Sequence, residues 1–70
     1  MLQMSGRVGQ VDHQRGFFDL RTQQGTYTIF VPSTAGAANI EYFHRLQTGN
    51  TISIEGTLTD TSRVTLYRFL

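Results

Sequence analysis

Cysteine is absent from this 70-residue chain. Disulfides therefore cannot support the fold, and thiolate metal sites are excluded. Two histidines, His13 and His44, are too few for an all-histidine zinc site, so no metal and no cofactor is expected. Lysine is absent too. All six basic residues are arginine: Arg7, Arg15, Arg21, Arg45, Arg63 and Arg68. Arginine stacks on flat groups and forks onto phosphate, which lysine does less well. Against five acidic residues the net charge is only +1, far from the basic footprint of a typical nucleic-acid binder. Any such binding must rest on a local patch and on stacking. Long apolar runs are missing as well: nothing approaches the roughly 20 residues of a membrane-spanning helix. The opening MLQMSGRVGQ has neither the basic nor the apolar region of a signal peptide. The expectation is a cytoplasmic protein without membrane association.

Residues 1–70 are expected to form a single domain. A chain this short buries only about 60% of the surface its unfolded form exposes. A closed sheet, which wastes no edges, is one route to stability at this size; association with a partner is another.

The chain is organised around Gly16 to Pro32, GFFDLRTQQGTYTIFVP. Two apolar-aromatic runs flank TQQG, which predicts a β-hairpin with a four- or five-residue loop. Alternation puts Phe18 and Leu20 on one face of the first run, with Phe17, Asp19 and Arg21 on the other. Asp19 and Arg21 are costly to bury, so Phe18 and Leu20 are assigned to the core. In the second run Tyr27, Ile29 and Val31 are assigned inward. Phe17, Arg21, Thr28 and Phe30 are thereby left outward on one surface. Pro32 ends the strand because it cannot donate to the ladder.

Residues 3–12 read as a preceding strand with Met4, Gly6 and Val8 on one face. A bulge near Gly9 is needed to turn Val11 inward. After the hairpin, Ser33, Thr34 or Asn39 is a candidate N-cap. Ile40, Phe43 and Leu46 then mark a short amphipathic helix that Gly49 is expected to terminate. Residues 51–59 alternate, with Ile52, Ile54, Gly56 and Leu58 on the apolar face. Residues 64–69 form the last strand, with Val64 and Leu66 inward, Tyr67 and Phe69 on the opposite face, and the phase expected to break before Arg68 or to leave it at the rim. The order β-β-β-α-β-β predicts an all-β five-stranded OB-fold barrel with one short helix. An SH3-like barrel is the competitor, but it lacks a helix of this length at this place.

The hairpin also resembles the second and third strands of the anticodon-binding OB domain of class II aminoacyl-tRNA synthetases, the aspartyl type especially. The shared pattern is an aromatic, a D-L-R triplet, a short polar turn with glycine, and a third strand. GRVGQVD is similar to that family's first strand, and TISIEGTLTD to its fourth. The resemblance implies that Phe17 stacks on a nucleotide base. The family's base-reading glutamine on the third strand is Thr28 here, and these residues contain no synthetase catalytic domain. What the resemblance implies is thus a free-standing OB module of the nucleic-acid-binding kind, without aminoacylation.

The expected site is a single-strand groove. Phe17 and Phe30 stack bases, and Arg7, Arg21, Arg15 and Arg63 contact phosphates. His13 and Arg15 lie in the first loop, and Arg63 in the loop between the last two strands, both on the groove's rim. Thr28 shares the outward surface with Phe17, Arg21 and Phe30. Asp12, Asp19, Glu41, Glu55 and Asp60 are scattered, and there is no nucleophile motif or phosphate loop. No enzyme and no catalytic residue is expected. The reading is a non-catalytic module for single-stranded DNA or RNA with little sequence preference. The alternative is a protein-interaction or homodimer module that uses the same aromatic face.

Overall fold

The computed structural model describes residues 1–70. Five strands, β1 (Leu2–Asp12), β2 (Phe17–Thr22), β3 (Gly25–Phe30), β4 (Thr51–Asp60) and β5 (Arg63–Phe69), close into a barrel in the order β1-β2-β3-β5-β4. One helix, α1 (Ala37–Arg45), lies between β3 and β4. This strand order and helix position fit an OB-like barrel, as the element order predicts.

Closure depends on the long first strand. Its first half pairs with β4, from Leu2↔Gly56 to Arg7↔Thr51, and its second half with β2, from Arg7↔Arg21 to Asp12↔Phe17. Arg7 belongs to both ladders. At Gly6 the two sheets meet so closely that a Cβ would collide with the Arg21 carbonyl. Between Val8 and Val11 the register slips against Leu20 and Phe18, which is the bulge expected near Gly9. It brings Val11 round to pack against the core. The last seam is a short parallel pairing of β3 with β5.

The core consists of Val8, Phe18, Leu20, Ile29, Val31, Phe43, Leu46, Ile52, Ile54, Val64 and Leu66. Phe18 and Leu20 of β2, Ile52 and Ile54 of β4, and Val64 and Leu66 of β5 are there as assigned. The helix closes one end of the barrel with Phe43, joined by Leu46 just beyond its last residue. Tyr42 stacks on Phe69 with ring centroids 4.3 Å apart, and Phe69 lies 6.0 Å from Phe18.

Several local expectations are corrected. The hairpin loop is two residues long, Gln23 and Gln24, because Thr22 already pairs with Gly25. Gly25 takes the positive φ (128°) that this tight reversal needs, and the Thr22 hydroxyl donates to its carbonyl at 2.8 Å. The helix N-cap is Gly36, with no side-chain cap. Asn39 instead fastens the helix to β5: its amide donates to Ala35 and Tyr67 carbonyls, and its oxygen accepts the Phe69 N–H. Gly49 does not end the helix, which stops at Arg45 with an extended Leu46; Gly49 lies in the following turn. Leu58 keeps inward parity yet is 49% exposed, since β1 covers β4 only as far as Gly56. Phe69 faces inward rather than outward. One extra residue, Tyr67, separates the Gly56↔Leu66 and Glu55↔Arg68 pairs, and a one-residue slip exchanges the faces. Arg68 therefore lies outside, 2.9 Å from Glu55.

Candidate nucleic-acid interface

Three cross-strand rungs run over the outer surface of β1, β2, β3 and β5. The first joins Asp12, Phe17, Phe30 and Thr65; the second Asp19, Thr28 and Arg63; the third Arg7, Arg21 and Thr26. Residues directly opposite across paired strands share a face. The grid follows from alternation, because Val8, Phe18, Leu20, Ile29 and Val64 between its members all point into the core. Phe17, Arg21, Thr28, Phe30, Arg7 and Arg63 thus come together on one side of the barrel.

The first rung is its apolar end. Phe17 is half-buried and Phe30 is 47% exposed. With Thr28, Thr59, Arg63 and Thr65 they line a groove of about 300 Å³. Thr59 and Thr65 are additions to the expected set. Thr65 carries a period-two signal, outward between Val64 and Leu66. Thr59 is outward by the same alternation, but its place beside the groove depends on the β4–β5 register, which shifts between Leu58 and Asp60.

His13 and Arg15 lie apart from this groove. The 13–16 turn approaches the face from the Phe17 end, whereas the 61–62 turn lies beside Thr28, whose N–H donates to the Ser62 carbonyl at 2.8 Å. Arg63 is the first residue of β5 rather than part of a loop. His13 and Arg15 line a neighbouring groove with Ile40, Phe43 and His44, and Phe30 borders both grooves. The His13 ring rests on Phe43 at 5.1 Å, and its Nε2 is 3.0 Å from the Phe43 carbonyl. A carbonyl oxygen only accepts, so Nε2 carries the proton there. This bond, with the Leu46 N–H on the same oxygen, satisfies a carbonyl left over at the helix end. Arg15 is held over Asp12, whose carboxylate accepts its backbone N–H at 2.8 Å.

The six arginines divide into two sets. Arg15, Arg45 and Arg68 pair with Asp12, Glu41 and Glu55. Arg7, Arg21 and Arg63 are exposed, have no carboxylate within 4.0 Å, and all belong to the three-rung face. Asp19 shares the face with them, and Asp60 lies opposite Arg63 on β4. No group of three or more His, Cys, Asp or Glu side chains is placed to hold a metal ion. No helix is long and apolar enough to cross a membrane. No protein-family model matches the chain, and no curated protein matches it.

Proposed function

We propose that the protein is a non-catalytic module that binds single-stranded DNA or RNA on the three-rung face, with little sequence preference. Bases stack on Phe17 and Phe30, and phosphates are taken by Arg7, Arg21 and Arg63. The observation that carries this reading is the division of the arginines. The three without an acidic partner share a face with the two outward phenylalanines, so the surface offers cations and flat apolar groups together. Stacking on aromatics with arginine–phosphate contact is the chemistry by which single strands are held without base readout. Thr28 offers only a hydroxyl, which donates and accepts alike and discriminates weakly between bases. The resemblance of the hairpin to synthetase anticodon-binding strands points the same way through Phe17.

The test is a titration of fluorescent oligo-dT and oligo-rU at low and moderate salt, with the wild type and Phe17→Ala. Binding tighter than about 100 µM that weakens with salt and with the substitution supports the reading. No binding at low salt sinks it.

A second reading has its own observation. Phe30, Tyr67 (57% exposed) and Leu58 are large apolar side chains left open on a protein of net charge +1. A protein partner or a second copy covering Phe17 and Phe30 accounts for the exposure of Phe30, and one reaching the last strand for that of Tyr67. A dimer in solution whose interface buries Phe17 is its distinguishing result.

A further inference from the structure

Arg7 and Arg21 are direct cross-strand partners on an exposed sheet surface. Like charges so placed repel and destabilise the pairing, and no carboxylate lies within 4.0 Å of either. Both side chains lean over one seam. Arg21 Nη2 lies 3.6 Å from where a Cβ on Gly9 would be, and Arg7 Nη2 lies 3.8 Å from the equivalent point on Gly49. The two glycines are neighbours, because the Thr48 hydroxyl donates to the Gly9 carbonyl and the Gly49 N–H to the Val8 carbonyl. Two guanidinium groups therefore flank one small-residue seam with no carboxylate in ion-pair contact, although the Asp19 Cβ lies 3.4 Å from the same point over Gly9. A phosphate suits that arrangement, since each guanidinium can fork onto its oxygens.

The opposite end of the face is built differently. From Phe17 to Arg21 is four residues along β2, about 13 Å at the rise of a strand. Asp19 lies between them, with Asp60 opposite Arg63 on the adjoining β4. These acids set the middle of the face, where Arg63 is the single cation, below the Arg7–Arg21 pair as a place for a backbone phosphate.

We infer that the face is a two-point site, with a nucleobase held on Phe17 and Phe30 and one backbone phosphate held by the Arg7–Arg21 pair about 13 Å away. This rests on the proposed single-strand reading and adds its footprint. A single strand advances about 3.4 Å per nucleotide when stacked and up to roughly twice that when extended. Engaging both points therefore takes about three to five nucleotides. A dinucleotide reaches one point only.

The test measures affinity for dT2, dT4, dT6 and dT10 by competition against a labelled strand. The wild type is compared with Arg7→Gln/Arg21→Gln and with Phe17→Ala, each checked by circular dichroism for a retained fold. For the wild type, affinity rises by about tenfold or more between dT2 and dT6, through the effective concentration that linkage supplies. Beyond dT6 it rises only with the number of available registers. In the double arginine variant the dT6-to-dT2 ratio collapses to the register count, and the salt slope for dT6 shrinks by about 0.7, the value for one phosphate on a single strand. Phe17→Ala weakens every length. Equal wild-type affinity for dT2 and dT6 overturns the two-point site while leaving the single-strand reading intact. So does an arginine variant that keeps the full length dependence. Failure of every oligomer to bind removes both.

Discussion

The helix-covered end of the barrel and the three-rung face use the same kinds of residue for opposite purposes. At the helix end, Phe43, Phe18, Phe69 and Tyr42 pack ring against ring, His13 donates to a helix carbonyl, and Asn39 satisfies three backbone groups. On the face, Phe30 has one side open to solvent, and three arginines stand without acidic partners. Polar and aromatic groups that find partners within the chain stabilise it. The same groups without partners are free to take a ligand. The contrast lies in partnering and not in composition.

Substitutions at the two regions are expected to separate stability from binding. The largest effect is Phe18→Ala or Phe43→Ala. Truncating a buried phenylalanine costs about 3–5 kcal/mol, a large share of the roughly 4–10 kcal/mol that a chain of this size holds. Urea denaturation should show either variant unfolding at a much lower midpoint than the wild type. Phe30→Ala is the counterpart on the face: its urea midpoint stays close to the wild type, while oligo-dT binding weakens by about 1–3 kcal/mol. A Phe30→Ala protein that unfolds like Phe43→Ala erases the comparison.

Next comes Gly56→Ala. A Cβ there would lie 2.6 Å from the Thr65 carbonyl oxygen and 2.7 Å from Val64 Cγ1, so β4 or β5 must shift. A loss of about 1–3 kcal/mol is expected from thermal or urea unfolding; an unchanged midpoint shows that the strands are not so tightly apposed. Asn39→Ala, which leaves the Phe69 N–H without its acceptor, should cost about 1–3 kcal/mol in the same measurement without altering oligonucleotide affinity. The smallest effect is Asp19→Asn. Removing an acid that shares the face with the unpaired arginines should tighten oligonucleotide binding by a few tenths to about 1 kcal/mol at low salt, and by less at high salt. Weaker binding would place the phosphates elsewhere.

What the sequence made legible was local. Period-two alternation sorts Phe18 from Phe17 and Ile54 from Glu55, and period-three spacing finds Phe43 and Leu46, because those patterns are set within one element. The bulge at Gly9 was legible since Val11 is out of phase with Val8. The parallel seam between β3 and β5 leaves no such trace. It puts Arg63 beside Thr28 and Thr65 beside Phe30, and so completes the groove. The slip at Tyr67 turned Phe69 inward for the same reason: a register shift is decided by closure of the whole barrel. The pairing of Arg45 with Glu41 follows helical spacing, but the bond from Arg68 to Glu55 joins two strands whose register was unknown. Which arginines remain free could therefore be settled only in three dimensions, and that division separates the candidate face from the rest of the surface.

Amide chemical shifts followed during titration with dT6 test the face most directly. The account predicts perturbations concentrated at Phe17, Arg21, Thr28, Phe30, Arg63 and Thr65 and at Arg7, with the outer helix residues Glu41, Tyr42 and Arg45 unmoved. Perturbations centred on the helix, or none at low salt, would contradict it.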